Sequence, residues 1–158
     1  PFSDEDLKIL WAHKENDIIK VLLINCYSGF RISEFINLEI NLEERYLRGG
    51  LKTDAGRNRY VPIHSAIFPL VEYMVEKYSC ILFCSVDDFR EKMYETLDML
   101  GIEKHTPHDC RHTFNMLCDE YKVNERDKKL MLGKVYLHRS IKNLNAEIEK
   151  IQISHFCH

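Results

Sequence analysis

The sequence predicts an α+β domain that is mainly α-helical and carries one small antiparallel sheet or β-hairpin. Several segments repeat apolar residues at the three- and four-residue intervals of an amphipathic helix. One segment, 45–63, has the strand–turn–strand pattern of a hairpin. The 158 residues, 45% of them hydrophobic, suffice for one domain with a real core and are too few for two typical domains.

Three helices are expected in the first quarter of the chain. Ser3 followed by the acidic run 4–6 indicates a helix start, because a capping hydroxyl and first-turn carboxylates match the helix N-terminus. Asp17 is expected to cap a second helix that ends near Gly29, and its nearly all-round apolar character predicts a buried central position. A short helix over 33–38 follows, with inward residues expected at Phe35, Ile36 and Leu38.

The middle of the chain is expected to form the hairpin, over 45–63, and two further helices. Ser65 is predicted to cap the first of these helices. The apolar positions of 86–100 recur at intervals of three or four residues and predict an amphipathic helix that ends at Gly101. Between these helices, the apolar run 80–84 is either a strand or a buried turn.

Three helices are expected in the last third of the chain. The first runs from Pro107 to about Tyr121, since proline suits the first turn of a helix. The second covers 125–132 and ends at Gly133, a typical position for the residue after a helix. The last carries an apolar stripe between 141 and 151.

Charge is uneven along the chain. The formal net charge of −3 does not by itself indicate a nucleic-acid-binding protein. The stretch from Arg45 to Arg59, however, contains five basic residues and one acidic residue. This stretch predicts a positive face, with a mixed solvated surface as the alternative. The candidate DNA contacts in it are the arginines Arg45, Arg48, Arg57 and Arg59.

Membrane, secretory and metal-binding classes are disfavoured. No apolar run approaches membrane length and the N-terminus shows no signal-peptide pattern, so a cytoplasmic location is expected. The six cysteines lack paired C-x-x-C spacing, which favours reduced thiols. The His and Cys residues of the tail 154–158 lack the spacing of a closed zinc site, so no metal and no other cofactor is expected.

The most informative motif is His108-Asp109-Cys110-Arg111-His112-Thr113-Phe114. On a helix His108 and Arg111 lie about one turn apart and share a face. Arginine holds a phosphate in a fixed fork, and a neighbouring histidine can bond the same group or move a proton. The alternative is a helix start with a capping Asp109 and a surface arginine.

Three other residues have a functional and a structural interpretation each. Arg31 follows a helix break and can project from a rigid base, or it can pair with Glu34 on a helix surface. Lys52, near the hairpin tip, can enter a DNA groove or act as a solvated edge lysine. Tyr136 is a candidate nucleophile, or a core or interface tyrosine.

These segments, in this order, resemble the signatures of the tyrosine recombinase (phage integrase) family. The His108–Phe114 motif, H-x-x-R-H-T-F, resembles the second signature, and Ser28–Phe35 resembles the first. Lys52 matches the hairpin lysine of the family, and Tyr136 in Val-Tyr-x-His matches its nucleophile. The resemblance covers residues 1 to about 150 and is greatest to integrases of phages and conjugative transposons of Gram-positive bacteria.

The resemblance implies the family's catalytic-domain fold and site-specific recombination of duplex DNA, without metal or ATP. Tyr136 would attack a backbone phosphate, giving a 3′-phosphotyrosyl bond and a free 5′-hydroxyl group. Arg31 and Arg111 would stabilise negative charge on the phosphate, and Lys52 would protonate the leaving oxygen. His108 would assist proton removal from Tyr136 or bond the phosphate. Two further residues would support the site: Glu34 and His112.

The resemblance also implies partners. The family joins two duplex attachment sites with four protomers, so a homo-tetramer on DNA in the bacterial cytoplasm is expected. The C-terminal helix and tail, about 140–158, are expected to dock on a neighbouring protomer. The family usually adds an N-terminal DNA-binding domain, which is absent from this sequence, so 1–158 is expected to be the catalytic domain of a longer protein.

The sequence departs from the family after Leu132-Gly133. There the family has a third signature His or Trp and a loop before the nucleophile, whereas Gly133 is followed at once by Lys134. Either a mobile loop is missing at this point, which is favoured because the family keeps a flexible loop there, or the protein is shortened and inactive. The alternatives for function are an inert DNA-binding module of the same fold and a type IB topoisomerase-like enzyme.

Overall fold

The computed structural model describes residues 1–49, 59–135 and 139–153. Its helices are α1 (Asp4–Ala12), α2 (Asp17–Cys26), α3 (Phe68–Tyr78), α4 (Val86–Met99), α5 (His108–Glu120), α6 (Glu125–Met131) and α7 (Ile141–Ile148). A 3₁₀-helix covers Ile32–Asn37, and the strands are β1 (Glu39–Asn41), β2 (Tyr46–Gly49) and β3 (Arg59–Pro62). The predicted class, α+β and mainly helical with a small antiparallel sheet, is confirmed.

The first two helices begin with side-chain caps. Ser3 Oγ accepts from the Asp6 N–H at 3.1 Å and the Asp6 carboxylate accepts from the Ser3 N–H at 3.3 Å, so the predicted start of α1 is confirmed. The predicted cap of α2 is one residue off. Asn16 Oδ1 accepts from the Ile18 N–H at 2.8 Å, and Asp17 lies in the first turn, where its carboxylate stabilises the positive end of the helix.

Two details of the following helices differ from the predictions. Ile36 is 62% exposed, although an inward position is expected from the sequence. The segment is a 3₁₀-helix with three residues per turn, so Phe35 shares its face with Leu38 and Ile36 points away. Ser65 does not cap α3, because α3 begins at Phe68. Instead, the N–H and the hydroxyl group of Ser65 both donate to the Glu149 carboxylate.

The sheet is a three-stranded antiparallel meander in the order β1–β2–β3. Leu47 of β2 pairs with Ile40 of β1 and with Val61 of β3. Leu47 and Val61 are fully buried, so this face of the sheet covers the core. The tip of the predicted hairpin lies outside the described residues. The run 80–84 forms no strand; it is an irregular connection in which Ile81 and Leu82 are buried.

The central helix is α2, as predicted. Every residue from Ile18 to Cys26 is buried, and α1, α3, α4 and α5 pack around it. The end of α2 therefore meets the start of α5 inside the domain. Because both elements are fixed by the same core, side chains from their ends can be held in a constant relative position.

The C-terminal helix docks on its own chain, against β3. Its apolar stripe continues past α7, and the buried residues are Leu144, Ile148, Ile151 and Ile153. The His64 imidazole binds the Ile151 carbonyl oxygen at 2.8 Å, and Glu149 binds Ser65. The described part of the segment expected to reach a neighbouring protomer thus lies against the body of the same chain.

In the described ranges, the helices are not membrane-spanning and the cysteines are not in disulfide bonds. None of the helices there combines the length and apolar character needed to cross a bilayer. The five cysteines of these ranges carry free thiols, at Cys26, Cys80, Cys84, Cys110 and Cys118.

Substitution of Gly29 would show how tightly the end of α2 packs against α5. Its φ is +76°, and a Cβ atom there would collide with the ring of the fully buried Phe114. Gly29→Ala is expected to lower the free energy of unfolding by about 3 kcal/mol, through backbone strain and overpacking together. Urea denaturation measures this change.

Gly101→Ala is the matched control. Gly101 also has a positive φ, +71°, but a Cβ atom there meets nothing within 4 Å. Only the backbone strain remains, so a loss of about 1 kcal/mol is expected. Equal losses for the two variants would contradict the predicted contact between residue 29 and Phe114.

Candidate active site

Arg111 is anchored by two backbone carbonyl groups. Its Nη1 donates to the Gly29 oxygen at 2.7 Å and its Nη2 donates to the Leu132 oxygen at 2.6 Å. The residue is 7% exposed and belongs to the first turn of α5. The guanidinium group is therefore fixed between the turn after α2 and the turn after α6.

The electrostatic surroundings of Arg111 are positive. Burial, followed by the charges of Arg31 and Arg59, lowers the pKa of Arg111 to about 10, and Glu34 opposes this shift. The group stays protonated at neutral pH. A guanidinium that is both desolvated and repelled by like charges gains stabilisation from any anion that binds beside it.

Glu34 is the buried carboxylate of this cluster. It is 3% exposed, and its Oε1 accepts from the Arg31 backbone N–H and from Arg59 Nη2, both at 2.8 Å. The cluster thus sets three guanidinium groups, those of Arg31, Arg59 and Arg111, against one carboxylate. The excess of positive charge suits a phosphate or another oxyanion.

Arg31 lies between α2 and the 3₁₀-helix, as predicted. Its backbone is extended and its side chain is 56% exposed. The alternative, an ion pair with Glu34, is present as well: the side-chain nitrogen Nη1 lies 3.6 Å from Glu34 Oε1. Glu34 is buried rather than on the helix surface, and it also accepts a hydrogen bond from the backbone of Arg31.

His108 and His112 lie on the exposed face of α5, one turn apart. Their ring centroids are 4.6 Å apart and the rings are nearly perpendicular. Desolvation, then the nearby His112, Arg111 and Arg31, lowers the pKa of His108 below its usual 6.5. His108 is therefore neutral at pH 7 and able to accept a proton.

The prediction that Arg59 contacts DNA is wrong. Its side chain is 1% exposed, donates to Glu34, and lies with its guanidinium carbon 4.5 Å from the centroid of the Phe30 ring. Strand alternation in the sequence indicates that Arg59 is buried. Arg59 and Val61 share one face of β3, because side chains two residues apart on a strand point the same way, and Val61 is a core residue.

Arg45 and Arg48 remain on the surface. The guanidinium carbon of Arg45 stacks 3.9 Å from the centroid of the Phe68 ring. Arg48 lies 3.5 Å from the Glu39 carboxylate and 5.3 Å from the centroid of the Tyr60 ring. The DNA contacts expected of these two arginines stay predictions.

Three predicted site residues lie outside the described residues: Lys52, Arg57 and Tyr136. Described residues next to these gaps are connected to the cluster. The chain re-enters the described range at Arg59, which bonds Glu34. The segment with Tyr136 leaves it at Val135, three residues after Leu132, whose carbonyl binds Arg111.

The fold is similar to that of a phage integrase. The solved structure of the integrase from mycobacterium phage Brujita superimposes with a TM-score of 0.76 at 17% sequence identity. The match covers 96% of this chain and 57% of that chain, so the sequence spans little more than half of the integrase it resembles. No protein-family model and no curated protein matches the sequence.

Proposed function

We propose that this chain is the catalytic domain of a tyrosine recombinase, which cleaves and rejoins duplex DNA through a 3′-phosphotyrosyl intermediate. One observation carries the proposal. In an integrase-like fold, Arg31 from the turn after α2 lies in one electrostatic cluster with His108 and Arg111 from α5, and the cluster has an excess of positive charge. In this family such residues bind and activate a DNA phosphate.

The proposed reaction is an exchange of phosphate esters. The Tyr136 oxygen attacks phosphorus and loses its proton, the bond from phosphorus to the 5′ oxygen breaks, and that oxygen takes a proton from Lys52. The reverse attack by a 5′-hydroxyl group reseals the strand. Because one ester replaces another, neither metal nor ATP is required.

The described residues include those that would stabilise negative charge and accept a proton in this reaction. Extra negative charge develops on the non-bridging oxygens in the transition state, where Arg31 and Arg111 donate. The anchors at Gly29 and Leu132 use one N–H of each Nη of Arg111, which leaves its other donors for the phosphate. His108, neutral at pH 7, is suited to accept the tyrosine proton or to bond the phosphate.

The proposed partners follow from the same reaction. The substrate is a pair of duplex attachment sites of a mobile element, phage or conjugative transposon, that is integrated or excised by a tetramer in the bacterial cytoplasm. The surface arginines of the hairpin region, Arg45 and Arg48, would contact DNA together with Arg57. A further DNA-binding domain would complete the clamp on the duplex.

The test is covalent capture on DNA. The protein is incubated with a pool of nicked duplexes of random sequence, in EDTA and without ATP. An adduct that resists SDS and carries DNA through a 3′ phosphate supports the proposal. Metal-dependent cutting, or no adduct at all, contradicts it. Relaxation of supercoiled plasmid without strand exchange would instead identify a topoisomerase.

An inert DNA-binding module of the same fold is the second candidate. Lys134 directly follows Gly133, where the family has its third signature residue and a loop, and this shortening favours loss of activity. DNA binding without any adduct, from a protein whose intact mass equals the 18.8 kDa of this sequence, would select this candidate.

Lys52 provides a sharper prediction. If Lys52 is the general acid, Lys52→Ala cleaves ordinary DNA slowly but recovers most of its rate on a substrate with a 5′-bridging sulfur, because a thiolate leaves without a proton. Arg111→Ala gains less, since charge on the non-bridging oxygens still needs neutralising. Single-turnover cleavage rates measure both. An unchanged Lys52→Ala defect on the sulfur substrate would make Lys52 a groove contact, with His108 the next candidate acid.

A further inference from the structure

We infer that Arg59 is a positioning residue that holds the two phosphate-binding arginines in register, an inference that rests on the proposed recombinase function. Its two terminal nitrogens bind two different acceptors. Nη2 donates to Glu34 Oε1 at 2.8 Å, and Nη1 donates to the Leu132 carbonyl oxygen at 3.3 Å.

Each acceptor also binds one of the two arginines. Glu34 Oε1 accepts from the backbone N–H of Arg31 at 2.8 Å. The Leu132 oxygen accepts from Arg111 Nη2 at 2.6 Å. Within the part of the chain that the structure describes, Arg59 is the side chain that contacts the anchors of both arginines. It therefore connects the 3₁₀-helix, which Arg31 directly precedes, to the turn that fixes Arg111.

Stability alone does not explain a buried arginine here. Desolvation is the largest influence on Arg59 and lowers its pKa, while the charge and hydrogen bond of Glu34 oppose the shift. A buried ion pair is often replaceable by apolar residues of similar volume without loss of stability. The arrangement is better explained by geometry, because the planar guanidinium group offers donors at fixed angles to both acceptors.

The turn after α6 is shaped to accept this guanidinium. Gly133 has φ +73°, and a Cβ atom there would collide with Arg59 Nη1. The backbone of the turn thus lies directly against the side chain, and a Cβ atom at residue 133 would require the guanidinium group to move. Loss of Arg59 would leave Glu34 buried beside Arg31 and would release the Leu132 carbonyl from one of its two donors.

Displacement of catalytic groups by about 1 Å can cost about 10²-fold in rate. Arg59→Met, similar in length but unable to donate, is therefore expected to cut single-turnover cleavage at saturating DNA by at least about 30-fold. The DNA concentration for half-saturation should change less than about threefold, since affinity is spread over many phosphate contacts. Arg90→Met, which removes a surface arginine paired with Asp87, is the control and should cleave normally.

Two further variants separate positioning from folding. Arg59→Lys keeps the charge but lacks the planar fork that spans two acceptors, so its rate should also fall, by about 10-fold, in a protein with a normal melting curve. In Arg59→Ala, added guanidinium at non-denaturing concentration should restore part of the rate, and methylammonium should not. Normal rates for folded Arg59→Met or Arg59→Lys would overturn the inference.

A measurement that needs no activity keeps this inference distinct from the proposed function. In ¹⁵N-arginine spectra the Nε–H signal of Arg111 is expected to shift and broaden in Arg59→Lys and to stay unchanged in Arg90→Met. An Arg111 signal that is unaffected by Arg59→Lys overturns the positioning role even if the wild-type protein recombines DNA. A wild-type protein that forms no adduct overturns the recombinase proposal, whatever the spectra show.

Discussion

Tyr136→Phe is expected to abolish the covalent protein–DNA adduct completely. The aromatic ring is kept, and only the oxygen that forms the phosphotyrosyl bond is lost, so binding should persist while cleavage stops. The measurement combines the SDS-resistant adduct on a nicked duplex with a binding isotherm on the same DNA. This variant isolates the chemical step because a phenylalanine cannot act as a nucleophile.

Tyr73→Phe is the matched control. Tyr73 is 40% exposed on α3 and its hydroxyl accepts a hydrogen bond from the surface Lys77 at 3.2 Å, so its loss should leave the adduct yield unchanged. Digestion of the wild-type adduct should leave the DNA on a peptide that contains Tyr136. An adduct that persists in Tyr136→Phe, or one attached to another tyrosine, would disprove the assignment.

The second large effect is expected on substitution of the exposed Arg31 or of the anchored Arg111. Arg31→Lys and Arg111→Lys should each reduce the cleavage rate by roughly 10²-fold or more, because a lysine keeps the charge but loses the bidentate fork. For Arg111→Lys the anchors to Gly29 and Leu132 are also lost. Single-turnover cleavage at saturating DNA measures the rate.

DNA affinity should change much less in both variants, since it is spread over many phosphates. Arg90→Lys, on the surface of α4, is the control for a general effect of the substitution. Equal losses of affinity and rate would show that Arg31 and Arg111 act in binding and not on the transition state. A normal rate in either variant would remove that arginine from the proposed site.

The sequence predicts most of the helices because their apolar periodicity and end residues are local properties. The α1 cap at Ser3, the buried α2 and the ending at Gly133 all follow from a few neighbouring residues. The wrong predictions occur where two local signals in the sequence compete. Asn16 and Asp17 are both good caps, and a 3₁₀-helix has a different period from the α-helix expected around Ile36. Strand β1, with three residues, is too short to show alternation.

The candidate site is only partly predictable. His108 and Arg111 share a helix face, so their proximity follows from spacing, and Arg31 is found from its position after a helix break. The backbone oxygens of Gly29 and Leu132 have no sequence pattern, because every residue carries a carbonyl group. Their meeting at Arg111 depends on the packing of α2, α5 and α6, which only the folded chain reveals.

The docked C-terminal helix bears on how copies of this protein could assemble. The segment that ends at Ile153 already occupies its place on its own chain, held by four buried isoleucine and leucine side chains and the Ser65–Glu149 bonds. A tethered segment acts at an effective concentration on the order of millimolar, so the same helix from another copy competes at a disadvantage in dilute solution. An exchange between copies would replace each contact by an identical one. Assembly by this route would therefore draw its driving force from DNA or from contacts outside the helix, and dilution alone should return each helix to its own chain.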